Sequence, residues 1–320
     1  MKNSYMPEGM LIGGARNREI IAEGRSGIER AMASGTILES VALLCDNDMN
    51  LHVDMNGITG IIPRDEVCFT KNGEKVKDIA IITRVGKPIC FKVLDFYERD
   101  GRIHAYLSRR EAQADCMTNY ISKLRPGDII PSSVTHLEPF GAFVDIGCGI
   151  VSLLSVDCIS VSRFSHPRDR LRVGERISTV VKSVDRESGR IYVSMRELLG
   201  TWEENADAFK TGQTVAGIIR SVESYGVFIE LAPNLAGLAE LKDGFINSSD
   251  MIGKTVAVYV KSIIPERMKI KLVMIDSSLQ DARAQRLKYF IDTEKVSHID
   301  YWQYSPDCCP RLIETDFSVE

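Results

Sequence analysis

The sequence lacks an excess of positive charge. Its 320 residues include 40 Lys and Arg against 44 Asp and Glu, which gives a formal net charge of -4 at pH 7. A chain with this balance has no global basic field that could hold nucleic acid by charge alone. Any binding of nucleic acid must therefore depend on a local surface.

Long apolar segments are also absent. No run of 18 residues is apolar, and residues 1–9 (MKNSYMPEG) hold no apolar core of signal-peptide length. With 44% hydrophobic and 26% charged residues, the composition is that of a water-soluble globular chain. We therefore predict a cytoplasmic protein that makes no membrane contact.

Motifs for metal binding, redox chemistry and catalysis are missing as well. The eight cysteines form no C-x-x-C pair, so we expect reduced, buried thiols. The five histidines supply few metal ligands, and His298 beside Cys308 and Cys309 is too weak a pattern to predict a metal site. Residues 9–14 (GMLIGG) lack the preceding strand and the Lys of a phosphate loop, and we interpret them as a loose leader. We predict no enzyme activity, no cofactor and no metal.

The sequence does contain an internal repeat. Gly127, Phe140, Gly141 and Phe143 recur 85 positions later as Gly212, Tyr225, Gly226 and Phe228. Residues 181–184 (VKSV) recur as residues 260–263 (VKSI), 79 positions later, so the later copy has lost six residues from a loop. A weaker copy comes first, because residues 101–108 (GRIHAYLS) resemble residues 189–194 (GRIYVS). The chain therefore repeats one structural unit three times.

Alternating apolar residues predict five strands in the central copy. They cover residues 128–137, 142–147, 150–154, 175–184 and 190–195, with a long irregular connection and a helical turn after the third strand. This order is typical of a small Greek-key barrel of the OB type. The predicted fold class is therefore all-β with linker helices, built from three tandem five-stranded OB-fold Greek-key barrels.

Apolar residues at helical spacing predict helices over residues 18–33, 109–124, 195–209 and 279–290. These helices and the repeats together predict seven segments. The segments are a leader and helix (1–34), a degenerate barrel (35–110), a linker helix (111–125), a central barrel (126–197), a second linker helix (198–211), a third barrel (212–276) and a helix with an aromatic tail (277–320).

The main chemical signal is a pair of aromatic residues in the central copy. Alternation sends Ala142, Val144 and Ile146 toward the core and Phe143 outward, while Phe140 lies in the preceding turn. Exposed rings of this kind can stack on unpaired bases. Tyr225 and Phe228 repeat both rings in the third barrel. The alternative is that the rings close a barrel end or a domain interface.

The two strings at residues 140–147 (FGAFVDIG) and 182–191 (KSVDRESGRI) resemble the RNA-binding domain family named for ribosomal protein S-one of the small subunit. The resemblance implies an RNA face formed by Phe140, Phe143, Asp185 and Arg190. The family's His is replaced by Ser155 in the central copy and by Glu240 in the third. In the third copy Pro265 and Lys269 fall at the Asp and basic positions, and in the first copy Met49, His52 and Pro63 fall at the ring and His positions. The resemblance therefore implies that the first barrel has lost its stacking rings.

Local charge supports a surface in the central copy. Between Arg163 and Arg196 there are nine Lys or Arg against four Asp or Glu. A groove that follows single-stranded phosphates needs basic residues beside its rings, although a charged run can also be a solvated face. The complete set of predicted RNA-binding residues is Phe140, Phe143, Asp185, Arg190, Arg168, Lys182, Tyr225, Phe228, Lys261 and Lys269.

From these features we predict a monomeric protein of ribosomal protein S-one type that holds single-stranded messenger RNA for translation on the small ribosomal subunit. The central and third barrels would bind RNA, and the first barrel with the N-terminal helix would dock the ribosome or another protein. The alternative is a non-catalytic scaffold in an RNA-decay or transcription assembly, in which the barrels contact proteins.

Overall fold

The computed structural model describes residues 5–70, 75–99, 101–186, 189–240, 251–275 and 287–318, and the backbone of residues 280–281. The chain divides into two compact units. The first contains the chain up to Leu124 together with residues 131–133 and 145–151, and the second contains residues 125–130, 134–144 and the chain from Ser152 onward. Three five-stranded barrels follow one another along the chain.

The first barrel closes through strands in the order β1-β2-β3-β5-β4. Strands β3 and β5 run parallel and the other pairs are antiparallel. Leu38, Leu51, Ile62, Phe91 and Leu107 are fully buried and fill its core. The strands are β1 (Leu38–Cys45), β2 (Leu51–Met55), β3 (Ile58–Ile62), β4 (Pro88–Arg99) and β5 (Arg102–Ser108), and helix α3 (Asp78–Ile82) precedes β4.

The N-terminal helix predicted over residues 18–33 is two helices. Helix α1 covers Ala15–Ala22 and helix α2 covers Arg25–Ser34. Gly24 between them has φ 64°, a left-handed conformation that a side chain disfavours, and it ends the first helix. The helical periodicity continues across this break, which is why the pattern alone predicted one element.

The segment interpreted as a loose leader is packed against the first barrel. Glu8 accepts hydrogen bonds from Nε and Nη2 of the buried Arg109, at 2.6 Å and 3.0 Å. Cys90 of β4 donates its backbone N–H to the same carboxylate, at 3.1 Å. The charge of Arg109 lowers the pKa of Glu8 against the opposing effect of burial. A buried guanidinium needs such a partner, so the leader is part of the fold.

The central barrel has the strand order β10-β8-β7-β6-β9 and is closed. Its strands agree with the sequence-based prediction to within two residues at each end. They are β6 (Ile129–Glu138), β7 (Gly141–Asp145), β8 (Val151–Ser155), β9 (Arg176–Asp185) and β10 (Arg190–Ser194). The long connection after β8 contains helix α5 (Val156–Ile159) and a 3-10 turn over Pro167–Asp169, as the predicted helical turn requires.

The helix before the central barrel, α4, covers Arg109–Asn119 and is followed by a 3-10 turn over Ile121–Lys123. Ser108 caps α4 by accepting the N–H of Glu111, at 2.8 Å. The second linker, predicted as one helix over residues 195–209, is a 3-10 turn (Arg196–Leu199) and a short helix α6 (Trp202–Ala206). Gly200, with φ 82°, separates the two. The prediction of a single linker helix is therefore wrong at this position.

The third barrel consists of β11 (Thr214–Glu223), β12 (Gly226–Ala232), β13 (Leu235–Ala239), β14 (Lys254–Ile264) and β15 (Lys269–Met274), and β11 pairs with β14 to close the ring. A further strand, β16 (Gln280–Asp281), pairs with β14. The helix predicted over residues 279–290 is wrong where the structure describes it, because residues 280–281 are a strand and residues 287–290 are irregular. Residues 282–286 lie outside the described part of the chain.

The aromatic tail completes the second unit. Strands β17 (Tyr301–Gln303) and β18 (Glu314–Asp316) form a hairpin, and Trp302 and Tyr304 are buried in the core of the third barrel. Ile129 of β6 donates its N–H to the carbonyl of Ser297 at 2.9 Å. Phe317 packs with Ile129 and Leu198. The tail thus contacts both barrels of this unit through backbone and apolar side chains.

The three barrels confirm the predicted fold class, and they lie within the predicted ranges 35–110, 126–197 and 212–276. The division of the chain into seven segments with these boundaries stays a prediction. The expectation of buried thiols is correct for Cys90, Cys116, Cys148 and Cys158. It is wrong for Cys308, which is exposed because the turn after the aromatic tail strand carries it away from the core.

Candidate nucleic-acid interface

The rings of the central barrel lie on its outer wall because β7 alternates. Ala142 and Val144 are fully buried, whereas Phe143 between them is only half-buried. Phe140, in the turn before β7, is 55% exposed. The alternative that both rings are sealed in a core or a barrel end does not hold for Phe140.

Glycine at the start of β7 allows this strand to approach its neighbour. A Cβ atom on Gly141 would lie 2.5 Å from the carbonyl oxygen of Leu154, and one on Gly226 of the third barrel would lie 2.7 Å from that of Ala239. Backbone atoms cannot give way at such distances. In both barrels the exposed ring therefore precedes a glycine that packs directly against the backbone of the neighbouring strand.

The two barrels hold their rings in the same geometry. The Phe140 and Phe143 centroids are 6.0 Å apart with an interplanar angle of 88°. The Tyr225 and Phe228 centroids are 6.1 Å apart at 89°. Tyr225 is 63% exposed, close to the exposure of Phe140. An edge-to-face pair fixes one ring against the other and leaves the outer ring accessible to a planar ligand.

Two further rings lie on the outside of the central barrel, and sequence reasoning missed both. His136 on β6 stacks on Phe143, with centroids 6.5 Å apart and an angle of 27°, and its Nε2 lies 2.7 Å from Glu138 Oε1. Tyr192 on β10 faces outward between the buried Ile191 and Val193. Alternation in β10 would have revealed Tyr192. The repeat could not have revealed His136, because the third barrel has Ser221 at that position.

Asp185 and Arg190 lie directly opposite each other at the end of the β9-β10 pair. In the third barrel Lys269 lies opposite Ile264, not opposite Pro265. The assignment of Pro265 to the Asp position is therefore wrong by one residue, because Pro265 already begins the turn between β14 and β15. Lys269 and Lys261 are exposed on β15 and β14.

Lys182 belongs to a polar group at the end of β8. Its Nζ lies 3.0 Å from Cys158 Sγ. Burial lowers the pKa of Lys182, but the bond to Cys158 and the charge of Asp157 raise it overall. A hydrogen bond from Ser155 is the main cause of the lowered pKa of Asp157, and the charge of Lys182 adds to it. Ser155, which replaces the family's His, therefore orders an acidic residue beside Lys182.

The basic run between Arg163 and Arg196 is only partly a surface. Arg168 is exposed on the 3-10 turn after α5, where its Nε lies 3.2 Å from His166 Nδ1. Arg170 is buried and forms a bidentate pair with Glu230, so it cannot contribute to a groove. Arg196 lies over the Trp302 ring, 5.8 Å from its centroid. The expected cluster of nine basic side chains on one surface is wrong for Arg170, since a buried carboxylate compensates its charge.

Metal and membrane features can be assessed over the same residues. Within the described ranges, no group of three or more His, Cys, Asp and Glu is placed to hold a metal ion. His298 instead contacts Asp128 and Asp300 through its two ring nitrogens. None of the helices in the described part of the chain combines the length and apolar character needed to cross a bilayer.

Residues 123–196, which contain the central barrel, match the family model of the S1 RNA binding domain. This match confirms the resemblance of the central copy that the sequence indicated. Strands β11 to β15 repeat the strand order and the ring geometry of the matched barrel, so the chain contains tandem barrels of one type.

Several curated proteins similar to this chain carry the names of ribosomal proteins. The chain is 30% identical over 237 residues to the small ribosomal subunit protein bS1 of Leuconostoc lactis, covering 70% of this chain and 53% of that protein. It is 27% identical over 256 residues to the small ribosomal subunit protein bS1 homolog of Bacillus subtilis strain 168, covering 78% of this chain and 62% of that protein. The chain spans about half the length of the Leuconostoc protein. The solution structure of GSP13 from Bacillus subtilis is similar to 23% of this chain at 28% identity, with a TM-score of 0.22 and coverage of 57% of that structure.

Proposed function

We propose that this protein binds single-stranded RNA by stacking bases on the rings of the central and third barrels, with phosphates held by Arg190, Lys182, Lys261 and Lys269. The observation that carries the proposal is the recurrence of an exposed edge-to-face ring pair, with centroids 6.0 Å and 6.1 Å apart, at the same place in two barrels. A structural ring pair has no need to keep its outer ring exposed in both copies. A stacking platform does.

The expected affinity is moderate. Four stacking positions contribute about 1 to 3 kcal/mol each, and the cost of ordering a flexible strand reduces this gain. We therefore expect micromolar binding, with a binding free energy of about -8 kcal/mol. Two linked barrels gain further from effective concentration. With about three to five phosphates neutralised, log K should fall with log salt at a slope of roughly -2 to -3.5.

The ribosomal names of the relatives support a role in translation. We propose that the protein holds messenger RNA at the small ribosomal subunit as a cytoplasmic monomer, and that the first barrel with its N-terminal helices docks the ribosome or another protein. The quoted relatives carry the names of ribosomal proteins and not of enzymes, which supports a binding role without catalysis.

A titration with a fluorescent unstructured RNA tests the stacking proposal. We expect the double substitution Phe140→Ala and Phe143→Ala to weaken binding by about tenfold or more, since two stacking positions are removed. Tyr301→Ala is the matched control, because Tyr301 is an exposed ring on the tail hairpin. Unchanged affinity of the double variant would favour the protein-binding scaffold of an RNA-decay or transcription assembly.

Sedimentation tests the context of binding. We expect the intact protein to co-sediment with small ribosomal subunits at low salt and to be released as salt rises, because phosphate contacts are screened. Its absence from that fraction at low salt would leave RNA binding intact but remove the translational role.

A further inference from the structure

The first barrel carries a ring pair at a place where the sequence predicted none. Its β4-β5 hairpin has a β-bulge between Val93 and Asp95. The corresponding strand pair has a bulge after Val181 in the central barrel and after Val260 in the third barrel. A bulge is a fixed irregularity in a ladder, so residues counted from it occupy equivalent positions. The bulge therefore aligns the three hairpins independently of their sequences.

Counting from the bulge places Tyr97 and His104 at the positions of Asp185 and Arg190. In the first barrel Asp95 pairs with Tyr106 and Tyr97 pairs with His104. In the central barrel Ser183 pairs with Tyr192, and Asp185 pairs with Arg190. The family resemblance assigns the Asp and Arg positions to the RNA face. The first barrel has an aromatic pair at both of these positions.

The Tyr97 and His104 rings are stacked. Their centroids are 5.4 Å apart and their planes differ by 18°. The adjacent residues along the two strands, Phe96 and Ala105, pair with each other and face the core, whereas both rings are only half-buried. A third planar ring can be added to this parallel arrangement, just as the edge-to-face pairs of the other barrels leave their outer ring accessible to a planar ligand.

Charge on the same face suits a nucleotide chain. Arg99 and Arg102 pair with each other at the tip of the hairpin. Because side chains alternate along a strand, both arginines project on the same side as Tyr97 and His104, and Glu98 projects on the other side. Burial raises the pKa of Tyr97, and the charge of Arg99 lowers it, so this guanidinium acts on the ring. Two arginines thus border the stacked rings.

His104 adds an unsatisfied polar atom. Its Nδ1 is buried and makes no hydrogen bond in the described part of the chain. A buried nitrogen without a partner is destabilising, so no hydrogen bond at that atom explains the placement of this ring.

We propose that Tyr97 and His104 form a third base-stacking site for single-stranded RNA, with Arg99 and Arg102 contacting the adjacent phosphates. This inference rests on the proposed function, which it extends to the first barrel. Loss of the rings at Met49 and His52 is then compensated by rings on the neighbouring hairpin. The site takes an unpaired nucleobase of single-stranded RNA.

Photocrosslinking of the intact protein to an oligouridylate containing 4-thiouridine, about 30 nucleotides long to fill three barrels, tests the site without any substitution. Trypsin releases Tyr97 in residues 93–99 and His104 in residues 103–109. We expect adducts on one or both peptides, as well as on the peptides that contain Phe143 and Phe228. Adducts near Phe143 and Phe228 without any on residues 93–109 would overturn the proposal.

Titration of variants with the same oligouridylate supplies the second test. Tyr97→Ala with His104→Ala should bind about fivefold or more weakly, and Tyr97→Phe with His104→Phe should retain wild-type affinity because both rings remain. Unchanged affinity of the alanine variant overturns the proposal whatever the adduct map shows. If the alanine variant does not fold, as judged by its melting curve, the adduct map decides.

The two proposals fail in distinguishable ways. If Phe140→Ala with Phe143→Ala weakens binding and the Tyr97 and His104 variant does not, only the third site is rejected. If the Phe140 and Phe143 variant also binds as the wild type does, the proposed function itself is rejected.

Discussion

Replacing Glu230 by Gln is expected to destabilise the second unit severely. Glu230 on β12 is 1% exposed, and two guanidinium groups share its carboxylate. Arg170 Nη1 lies 2.6 Å from Oε1, and Arg220 Nε lies 2.7 Å from Oε2. Burial lowers the pKa of Arg170 and the charge of Arg220 lowers it further. Glu230 is the main group that offsets the cost of burying this pair of cations, and Asp169, 3.5 Å from Arg220 Nη1, adds a smaller contribution.

The amide keeps the shape of Glu230 but removes its charge, which leaves two buried guanidiniums facing each other. Loss of one partner from a buried pair costs about 3 to 5 kcal/mol. For a unit of this size each kcal/mol corresponds to roughly 2 to 4 °C, so the melting temperature should fall by roughly 6 to 20 °C.

Differential scanning calorimetry of the full chain measures this change, since two units need not melt together. Glu29→Gln is the matched control, because Glu29 pairs with Arg25 at 2.6 Å on an exposed helix and should contribute at most about 1 kcal/mol. A triple replacement of Arg170, Arg220 and Glu230 by Met removes the charges together and should be nearly neutral. If Glu230→Gln melts like Glu29→Gln, the reasoning about the buried cluster is wrong.

Three further predictions concern the site and the tail. Gly141→Ala should lower the free energy of unfolding by roughly 1 to 3 kcal/mol in urea titrations and weaken RNA binding, because the new Cβ meets a backbone oxygen. Gly13→Ala is the control and should not destabilise the protein, because open space surrounds Gly13. Trp302→Ala should cost about 3 to 5 kcal/mol by thermal denaturation, and a cost near zero would show that the tail is merely appended. Ser155→Ala should raise the pKa of Asp157 toward its usual 3.8, as measured by NMR titration of the carboxyl group. A carboxyl group whose pKa is lowered in the folded state stabilises the fold at pH values above its usual pKa, and this stabilisation is lost as the pH falls through the folded-state pKa. The stability difference between wild type and Ser155→Ala should therefore vanish in acid.

The central barrel was predictable because its strands are half-buried and alternate. Burial of Ala142 and Val144 beside an outward Phe143 follows directly from a period of two. The helices were less predictable. Gly24 and Gly200 interrupt continuous helical periodicity, and the left-handed backbone at each depends on how the flanking segments pack.

Contacts distant in sequence could not be predicted. Arg170 belongs by sequence to a basic run, but its burial depends on Glu230, which lies on another barrel. Likewise, the sequence resemblance of the two hairpins aligns Arg102 with Arg190 and His104 with Tyr192. Only the bulge of the ladder shows that Tyr97 and His104 occupy the Asp and Arg positions. The aromatic tail has no periodicity of its own, since Trp302 and Tyr304 are held by the barrel that they complete.

The placement of Trp302 and Tyr304 has a consequence for biosynthesis. The strands of the third barrel end at Met274, but two of its core side chains are translated later, in the tail hairpin. A nascent chain that has just emerged through Met274 therefore exposes a gap in its apolar interior. The third barrel cannot complete its core until the ribosome has added residue 304.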